Sequence, residues 1–421
     1  MLIVDDYPNT GETLKIMIGM LRSSGVEPER ISFMAPTHYA QKPDIFSKER
    51  EEVARVNRYT VRPDELYKEH FLGSPSVESL LRDYFANQGW ESITIQENAA
   101  TGEINNQLQQ HYGDGFHVRL KRVLDLRFSS NKTTCIKRVF AKSVGWGWLG
   151  YHAYLSGTRL SGFVPKVIGL RNGLLFTEWI EKTPQNQEQA VSTALLERLS
   201  SYVISRVEKL HLSEDPWFAY PGYRWTGWEF ILGILRSAYG QYVDYVANLL
   251  LKKRLQQYIS PSPTMVDGHM RQDEWIKTET GIYKVDFEHH NFGGPELDMV
   301  DPAYDLTSAI FEFRLSNKAE QELLQTYVQK SGDQKVSERI LIHKLLYGLI
   351  ALQYAAYWVV RPASNRKREE LNEAYLWARN FLVYHMHRFC ASAIDCQHPT
   401  ERSKHLFILD MDGVFDTEIL G

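Results

Sequence analysis

Two acids and a histidine stand close together in the middle of the chain, and a further acid follows within one hairpin's length. Asp267 and His269 lie in the polar loop 266–275, which also contains Glu274, and Asp286 ends the apolar strand-like segment that follows. A hairpin of this length returns Glu274 and Asp286 to one edge, where both can face a Mg²⁺ ion that bridges phosphate oxygens. The alternative is that both are solvated turn acids.

A lysine in a strand-like segment could supply the complementary positive charge. Lys142 follows the apolar residues 139–141, and a strand lysine in such a position can hold nucleotide phosphates. An ordinary strand lysine whose ammonium reaches solvent would give the same pattern. Glu178 and Trp179 end a later strand-like segment, where an adenine would hydrogen-bond to the backbone. Together these residues indicate nucleotide binding.

The elements around these residues predict an α+β, two-lobe arrangement. Strands are expected over 117–128 and 133–144, a helix over 148–160, and a hairpin over 164–180 around Arg171-Asn172-Gly173. From about residue 184 the chain becomes mainly helical, apart from a strand-rich insert near 264–287. Asp301 before Pro302 predicts a helix N-cap. We therefore expect a small β lobe over 116–183 and a larger helical lobe over 184–398.

Residues 116–395 resemble the aminoglycoside-phosphotransferase branch of the protein-kinase-like superfamily. The resemblance depends on Lys142, the Val285-Asp286-Phe287 segment and the run Asp301-Pro302-Ala303-Tyr304-Asp305-Leu306, in this order. It implies a kinase-like fold that uses ATP and Mg²⁺. It further implies that Lys142 holds phosphates and that Asp286 and Glu274 hold the metal ion.

The catalytic loop departs from the family's pattern of His-Gly-Asp followed, after four residues, by Asn. Alignment on Gly268 puts Asp267 at the histidine, His269 at the catalytic aspartate and Glu274 at the asparagine. The base that accepts the acceptor hydroxyl's proton is then either His269 or the neighbouring Asp267. No acid occurs between Ser143 and Thr177, so the usual glutamate partner of Lys142 has no candidate there.

The N-terminal residues 1–40 have a strand–helix–strand pattern. Their opening resembles the phosphoribosyl-pyrophosphate loop of type I phosphoribosyltransferases, in which paired acids contact ribose hydroxyls and a threonine-glycine turn wraps a phosphate at a helix start. The matching residues are Asp5, Asp6, Asn9, Thr10, Gly11 and Thr13. A capped strand–helix turn is the alternative. Because the strands that precede this loop in the family are missing, we expect a partial α/β segment, followed by a connector with some helix over 41–115.

The C-terminal residues 403–421 resemble the opening motif of haloacid-dehalogenase-type phosphatases. The match depends on an apolar strand-like run that leads into Asp410 and Asp412. In that family the first acid is the nucleophile and the second is the general acid. The expected partners of the kinase-like region are therefore fused or associated phosphatase and phosphoribosyltransferase modules.

Composition excludes several other classes of protein. The 421 residues carry 48 basic and 52 acidic side chains, so no excess of positive charge favours nucleic-acid binding. Three cysteines are too few and too scattered for a disulfide framework or a zinc cage. No apolar run approaches the roughly 18 residues of a membrane span, and the N-terminus lacks the features of a signal peptide. These features predict a cytoplasmic location.

The favoured hypothesis is a Mg-ATP-dependent phosphotransferase that acts on an alcohol group of a small molecule. A sugar-like or nucleoside-like acceptor is suggested only by association with the flanking motifs. One alternative is a catalytically impaired nucleotide-binding scaffold that couples the flanking modules, which the altered loop favours. Another is a phosphoribosyltransferase whose middle region is regulatory.

Overall fold

A computed structural model describes most of the chain as two compact units. The described residues are 1–4, 12–36, 56–61, 72–96, 98–113, 120–129, 134–145, 148–181, 191–215, 260–288, 299–360 and 365–397, together with positions 232, 236, 241 and 244. The first unit comprises residues 1–158 and 165–180, and the second comprises residues 159–164 and 181–421. Helices and sheets are both present, in agreement with the predicted α+β class.

The first unit begins with a three-stranded parallel sheet and one helix. Its elements are β1 (Leu2–Val4), α1 (Glu12–Ser23), β2 (Ser32–Pro36) and β3 (Asn57–Val61). β2 lies between the other two strands. Apolar side chains from these elements and their connections form a small core, namely Ile3, Ile18, Ile31, Phe33 and Val56. The strand–helix–strand pattern predicted for residues 1–40 is therefore confirmed, while β3 was not predicted.

A five-stranded antiparallel sheet forms the larger part of this unit. In chain order its elements are α2 (Pro75–Ala86), β4 (Ser92–Gln96), α3 (Ala99–Gly113), β5 (Lys121–Ser129), β6 (Thr134–Ser143), α4 (Trp148–Arg159), β7 (Val167–Arg171) and β8 (Leu174–Glu178). The strand order is β4-β5-β6-β8-β7. The predicted β7–β8 hairpin is present. Its two turn residues, Asn172 and Gly173, both adopt the left-handed backbone that a two-residue turn requires (φ 53° and 71°).

The sheet begins earlier in the chain than the sequence predicted. Residues 41–115 were expected to form a connector, yet β4 pairs with β5 along its whole length. Helix α2 also contributes Val77, Leu81 and Phe85 to the core beneath the sheet. These three positions recur at helical spacing, which places them on one face of α2. The structure thus adds strand β4 to a stretch for which only some helix was expected.

The second unit is mainly helical and contains one short hairpin. Its elements are α5 (Thr193–Lys209), a 3₁₀ turn (Gln272–Glu274), β9 (Trp275–Lys277), β10 (Ile282–Lys284), α6 (Pro302–Glu312), α7 (Asn317–Ser331), α8 (Val336–Val359) and α9 (Asn365–Gln397). The predicted N-cap is confirmed, because Asp301 Oδ1 accepts a hydrogen bond from Ala303 N–H at 2.7 Å. Asp301 is also held by Arg339, at 2.9 Å.

In the part of the chain that the structure describes, none of the helices combines the length and the apolar character needed to cross a bilayer.

Candidate active site

The loop that contains Asp267 is fixed by the first turns of α6. The Asp305 carboxylate accepts hydrogen bonds from the backbone N–H groups of Asp267 and Gly268, both at 2.8 Å. One turn later, Ser308 Oγ accepts from Met270 N–H at 2.8 Å. Burial raises the pKa of Asp305 to about 6, although Arg206 opposes this shift. The loop backbone is thus held in one conformation by helix side chains rather than by its own turns.

Asp267 is a buried member of an ionic network. Its Oδ2 accepts a hydrogen bond from the Tyr202 hydroxyl at 2.6 Å and lies 3.5 Å from Arg206 Nη1. Its Oδ1 lies 3.5 Å from Lys284 Nζ. The side chain is 0% exposed. A carboxylate held in this way has no oxygen open to solvent, so of the two candidate bases the exposure favours His269.

Arg206 joins the loop to α5, a role that was not predicted from the sequence. Its guanidinium donates to the main-chain carbonyls of Met265, Val266 and Phe287 at 2.9–3.1 Å. It also donates to the Tyr202 hydroxyl at 2.7 Å. An arginine has five N–H donors in a planar fork, which suits it to join two separate chain segments in this way. A buried arginine on a helix has no sequence signature, because its partners are distant in the chain.

Lys284 lies between the residues that were predicted to share a metal ion. Its Nζ donates to Glu274 Oε2 at 2.7 Å and to the main-chain carbonyl of Asp286. Burial alone lowers the pKa of this ammonium, but the acidic neighbours outweigh burial and raise the pKa well above its ordinary value. The hairpin does bring Glu274 to the segment before Asp286, as expected, since Val285 N–H donates to Glu274 O at 2.9 Å. Lys284, which was not among the predicted site residues, therefore occupies the space beside Glu274.

His269 presents its ring at the surface of the same loop. Its side chain is 35% exposed, and Nδ1 lies 3.7 Å from Glu274 Oε1. The chain reverses between Asp267 and His269 because Gly268 takes a left-handed backbone with φ 80°. The imidazole and the Glu274 carboxylate are therefore neighbours, and the imidazole, unlike the Asp267 carboxylate, can meet a ligand from solvent.

The residues fit the implied Mg²⁺ ion only in part. Glu274 is a poor ligand, because one of its oxygens already accepts from Lys284. Within the described ranges, no group of three or more histidine, cysteine, aspartate or glutamate side chains is arranged to hold a metal ion. Asp286 is partly exposed and keeps the position of a candidate ligand. A Mg²⁺ ion held by one carboxylate needs further oxygens, which nucleotide phosphates commonly supply.

The residues predicted to hold the nucleotide lie in the first unit. Lys142 is on β6, opposite Leu175 of β8, and is 4% exposed. Glu178 N–H donates to Lys166 O at 2.9 Å, and Trp179 N–H donates to Arg138 O at 3.1 Å. Both backbone donors predicted to contact an adenine are therefore engaged in the sheet.

The two flanking motifs cannot be described at atomic level. Asp5, Asp6, Asn9, Thr10 and Gly11 lie outside the described residues, and so do Asp410 and Asp412. Thr13 lies within α1, but the position of its side chain is not among those described. The phosphoribosyltransferase-like and phosphatase-like resemblances remain predictions.

Comparison with solved structures gives small-molecule kinases. The chain is similar to a choline/ethanolamine kinase family protein from Mesorhizobium loti, with a TM-score of 0.42 and 14% identity, over 64% of this chain and 89% of that one. It is similar to the choline kinase LicA from Streptococcus pneumoniae, with a TM-score of 0.40 and 12% identity, over 73% and 99% of the two chains. For a spectinomycin phosphotransferase in complex with ADP and spectinomycin, the TM-score is 0.36 and the identity 11%, over 68% and 98%.

No protein-family model matches the chain, and no curated protein matches it. The three structures named above are described as kinases or as a phosphotransferase, and each has a TM-score below 0.5.

Proposed function

We propose that the chain is a kinase-like phosphotransferase that uses ATP and Mg²⁺ to phosphorylate a hydroxyl group of a small molecule. The observation that carries this proposal is the loop 267–274, which is fixed by Asp305 and followed by a hairpin that ends at Asp286. A rigid loop that bears a candidate base, next to a carboxylate at a strand end, is the arrangement that phosphoryl transfer needs.

His269 is the proposed base in this reaction. As the acceptor oxygen forms its bond to the γ-phosphorus, the hydroxyl proton passes to the imidazole, and the bond to the nucleoside diphosphate breaks. Glu274, whose Oε1 lies 3.7 Å from His269 Nδ1, stabilises the imidazolium that results. Asp286 would hold the Mg²⁺ ion, which supplies charge neutralisation on the phosphate oxygens when bound. Lys142 is proposed to contact nucleotide phosphates, as the family resemblance implies.

A second candidate function, a nucleotide-binding scaffold without catalysis, also has a specific observation in its favour. The loop carries a histidine at the position of the family's aspartate, and Glu274 is paired with Lys284. A scaffold would bind ATP and would turn none of it over.

The experiment that tests the proposal is ATP turnover by the full chain, measured together with binding of a fluorescent ADP analogue. We expect Asp286→Ala to abolish turnover and His269→Gln to lower turnover by about 10²–10⁴-fold without loss of nucleotide binding. Glu373→Ala, which removes an exposed carboxylate that pairs with Arg314, is the control and should leave turnover unchanged. Full turnover by Asp286→Ala would contradict the proposal, and Mg²⁺-dependent binding without turnover in the wild type would favour the scaffold.

A further inference from the structure

Lys284 is enclosed by groups that carry negative charge or a carbonyl dipole. Its side chain is 0% exposed, and Nζ lies 2.7 Å from Glu274 Oε2 and 3.5 Å from Asp267 Oδ1. The main-chain carbonyl of Asp286 accepts a third contact. These groups come from the catalytic loop, the 3₁₀ turn that ends the loop, and the segment after β10. A single ammonium therefore joins three separate parts of the candidate site.

The charges around this ammonium explain why it stays protonated although it is buried. Arg206 and Lys284 are the cations of the network, and both lie within 3.5 Å of Asp267. Their partners are the carboxylates of Asp267, Glu274 and Asp305, since Arg206 Nε also lies 3.9 Å from Asp305. Buried carboxylates at this density need fixed positive charge or a bound cation to remain ionised. Lys284 supplies that charge covalently at the point where Glu274 and Asp267 meet.

We propose that Lys284 is a positioning residue that replaces a divalent cation beside Glu274, so that Glu274 is an ion-pair partner rather than a metal ligand. The divalent cation of the nucleotide complex is then held by Asp286 without Glu274, a statement that depends on the proposed function. The replacement of a cation by Lys284 does not depend on it, since the ion pairs join side chains of the chain itself.

The consequence for the loop is a preset orientation of Glu274. One oxygen of this carboxylate is fixed by Lys284, and the other lies beside His269. A lysine keeps this geometry whether or not nucleotide is bound, whereas a metal ligand would be repositioned each time the metal–nucleotide complex enters or leaves.

The first test is cation recovery of stability in the absence of nucleotide. Lys284→Gln should lower the melting temperature, and millimolar Mg²⁺ should recover part of the loss, because Glu274 and Asp267 both lose the ammonium while Asp267 keeps Arg206 at 3.5 Å. The wild type should show no comparable Mg²⁺ effect. Lys344→Gln is the matched control, because Lys344 is also buried and also paired with a glutamate, at 2.6 Å. Recovery that is equal in the control, or absent in Lys284→Gln, would overturn the proposal.

The second test remains decisive if Lys284→Gln does not fold. Mn²⁺ binding to the wild type and to Glu274→Gln is followed by electron paramagnetic resonance in the presence of a non-hydrolysable ATP analogue. We expect nearly equal affinity, whereas loss of a group that orients or binds the metal would weaken binding by about 10–100-fold. A loss of that size would overturn the assignment of Glu274. If the wild type binds no Mn²⁺–nucleotide at all, the proposed function fails, and the nucleotide-free test still decides the role of Lys284.

Discussion

Two buried lysines of the second unit have opposite electrostatic surroundings. Lys284 in the candidate site and Lys344 on α8 are 0% and 1% exposed. Burial lowers the pKa of both ammonium groups, but the acidic neighbours of Lys284 reverse this effect and raise its pKa. Lys344 has Glu320 at 2.6 Å and experiences the positive charge of Arg388, so that its pKa remains below the ordinary value.

The difference shows that burial alone does not decide the state of a lysine. Two carboxylates and a carbonyl outweigh the effect of burial on the pKa of Lys284, and one carboxylate does not outweigh it at Lys344. Lys284 lies among several carboxylates of the candidate site, whereas Lys344 and Glu320 form a single ion pair between two helices.

The largest difference between the two lysines should appear when each ammonium is removed. Lys284→Met removes the ammonium from Glu274 and Asp267, of which Asp267 keeps Arg206, and should lower the free energy of unfolding by about 3–5 kcal/mol. Lys344→Met leaves only Glu320, whose side chain still reaches solvent, and should cost about 1 kcal/mol or less. Guanidinium denaturation followed by tryptophan fluorescence measures both values. Similar losses in the two variants would show that the surroundings of the two lysines do not differ in their effect on stability.

An intermediate effect is expected from pH, through a histidine beside Lys344. Burial, followed by the charges of Lys344 and Arg388, lowers the pKa of His385 to about 3. Because the unfolded pKa is about 6.5, the stability associated with neutral His385 is complete above that pH and decreases as the pH falls. The loss at pH 5 is about 2 kcal/mol.

The check on His385 is denaturation at pH 7.5 and pH 5 for the wild type and for His385→Gln. The wild type should lose more stability than the variant between these two pH values. A variant with the same loss would show that burial beside Lys344 and Arg388 does not lower the pKa of His385.

The smallest effect is expected from the partner of Lys344. Glu320→Gln keeps a hydrogen-bond acceptor but removes its charge, so the free energy of unfolding should fall by about 1 kcal/mol. A double-mutant cycle with Lys344→Met isolates the interaction between the two side chains. A coupling free energy as large as that between Lys284 and Glu274, measured by the same cycle, would show that the second carboxylate is not what distinguishes the two sites.

Elements whose signals lie in adjacent residues of the sequence could be predicted. The β7–β8 hairpin follows from Asn172-Gly173, and the start of α6 follows from Asp301-Pro302. β4 was missed because its residues are mostly exposed and its pairing partners lie in β5, about 30 residues later. Local pattern does not reveal a strand whose stability depends on a distant partner.

The sequence indicated which residue types surround the candidate site, but it did not indicate which of them are buried. Glu274 and Asp286 were selected because their spacing suits a hairpin, and His269 because the family resemblance aligns it with the catalytic aspartate. The sequence left Asp267 open as a base, and only the structure places it at 0% exposure. Its partners Tyr202 and Arg206 precede it in the chain by 65 and 61 residues, a separation that no spacing rule covers.

Gly268 lies between a buried residue of the loop, Asp267, and a partly exposed one, His269. The residue before it is locked into the interior, and the residue after it carries its ring outward, because the left-handed backbone at Gly268 turns the chain between them. An exchange of the outward side chain would therefore alter the chemistry of the loop while the interior ion pairs stay in place. Such a loop can gain, lose or replace a reactive group during divergence at little expense to folding.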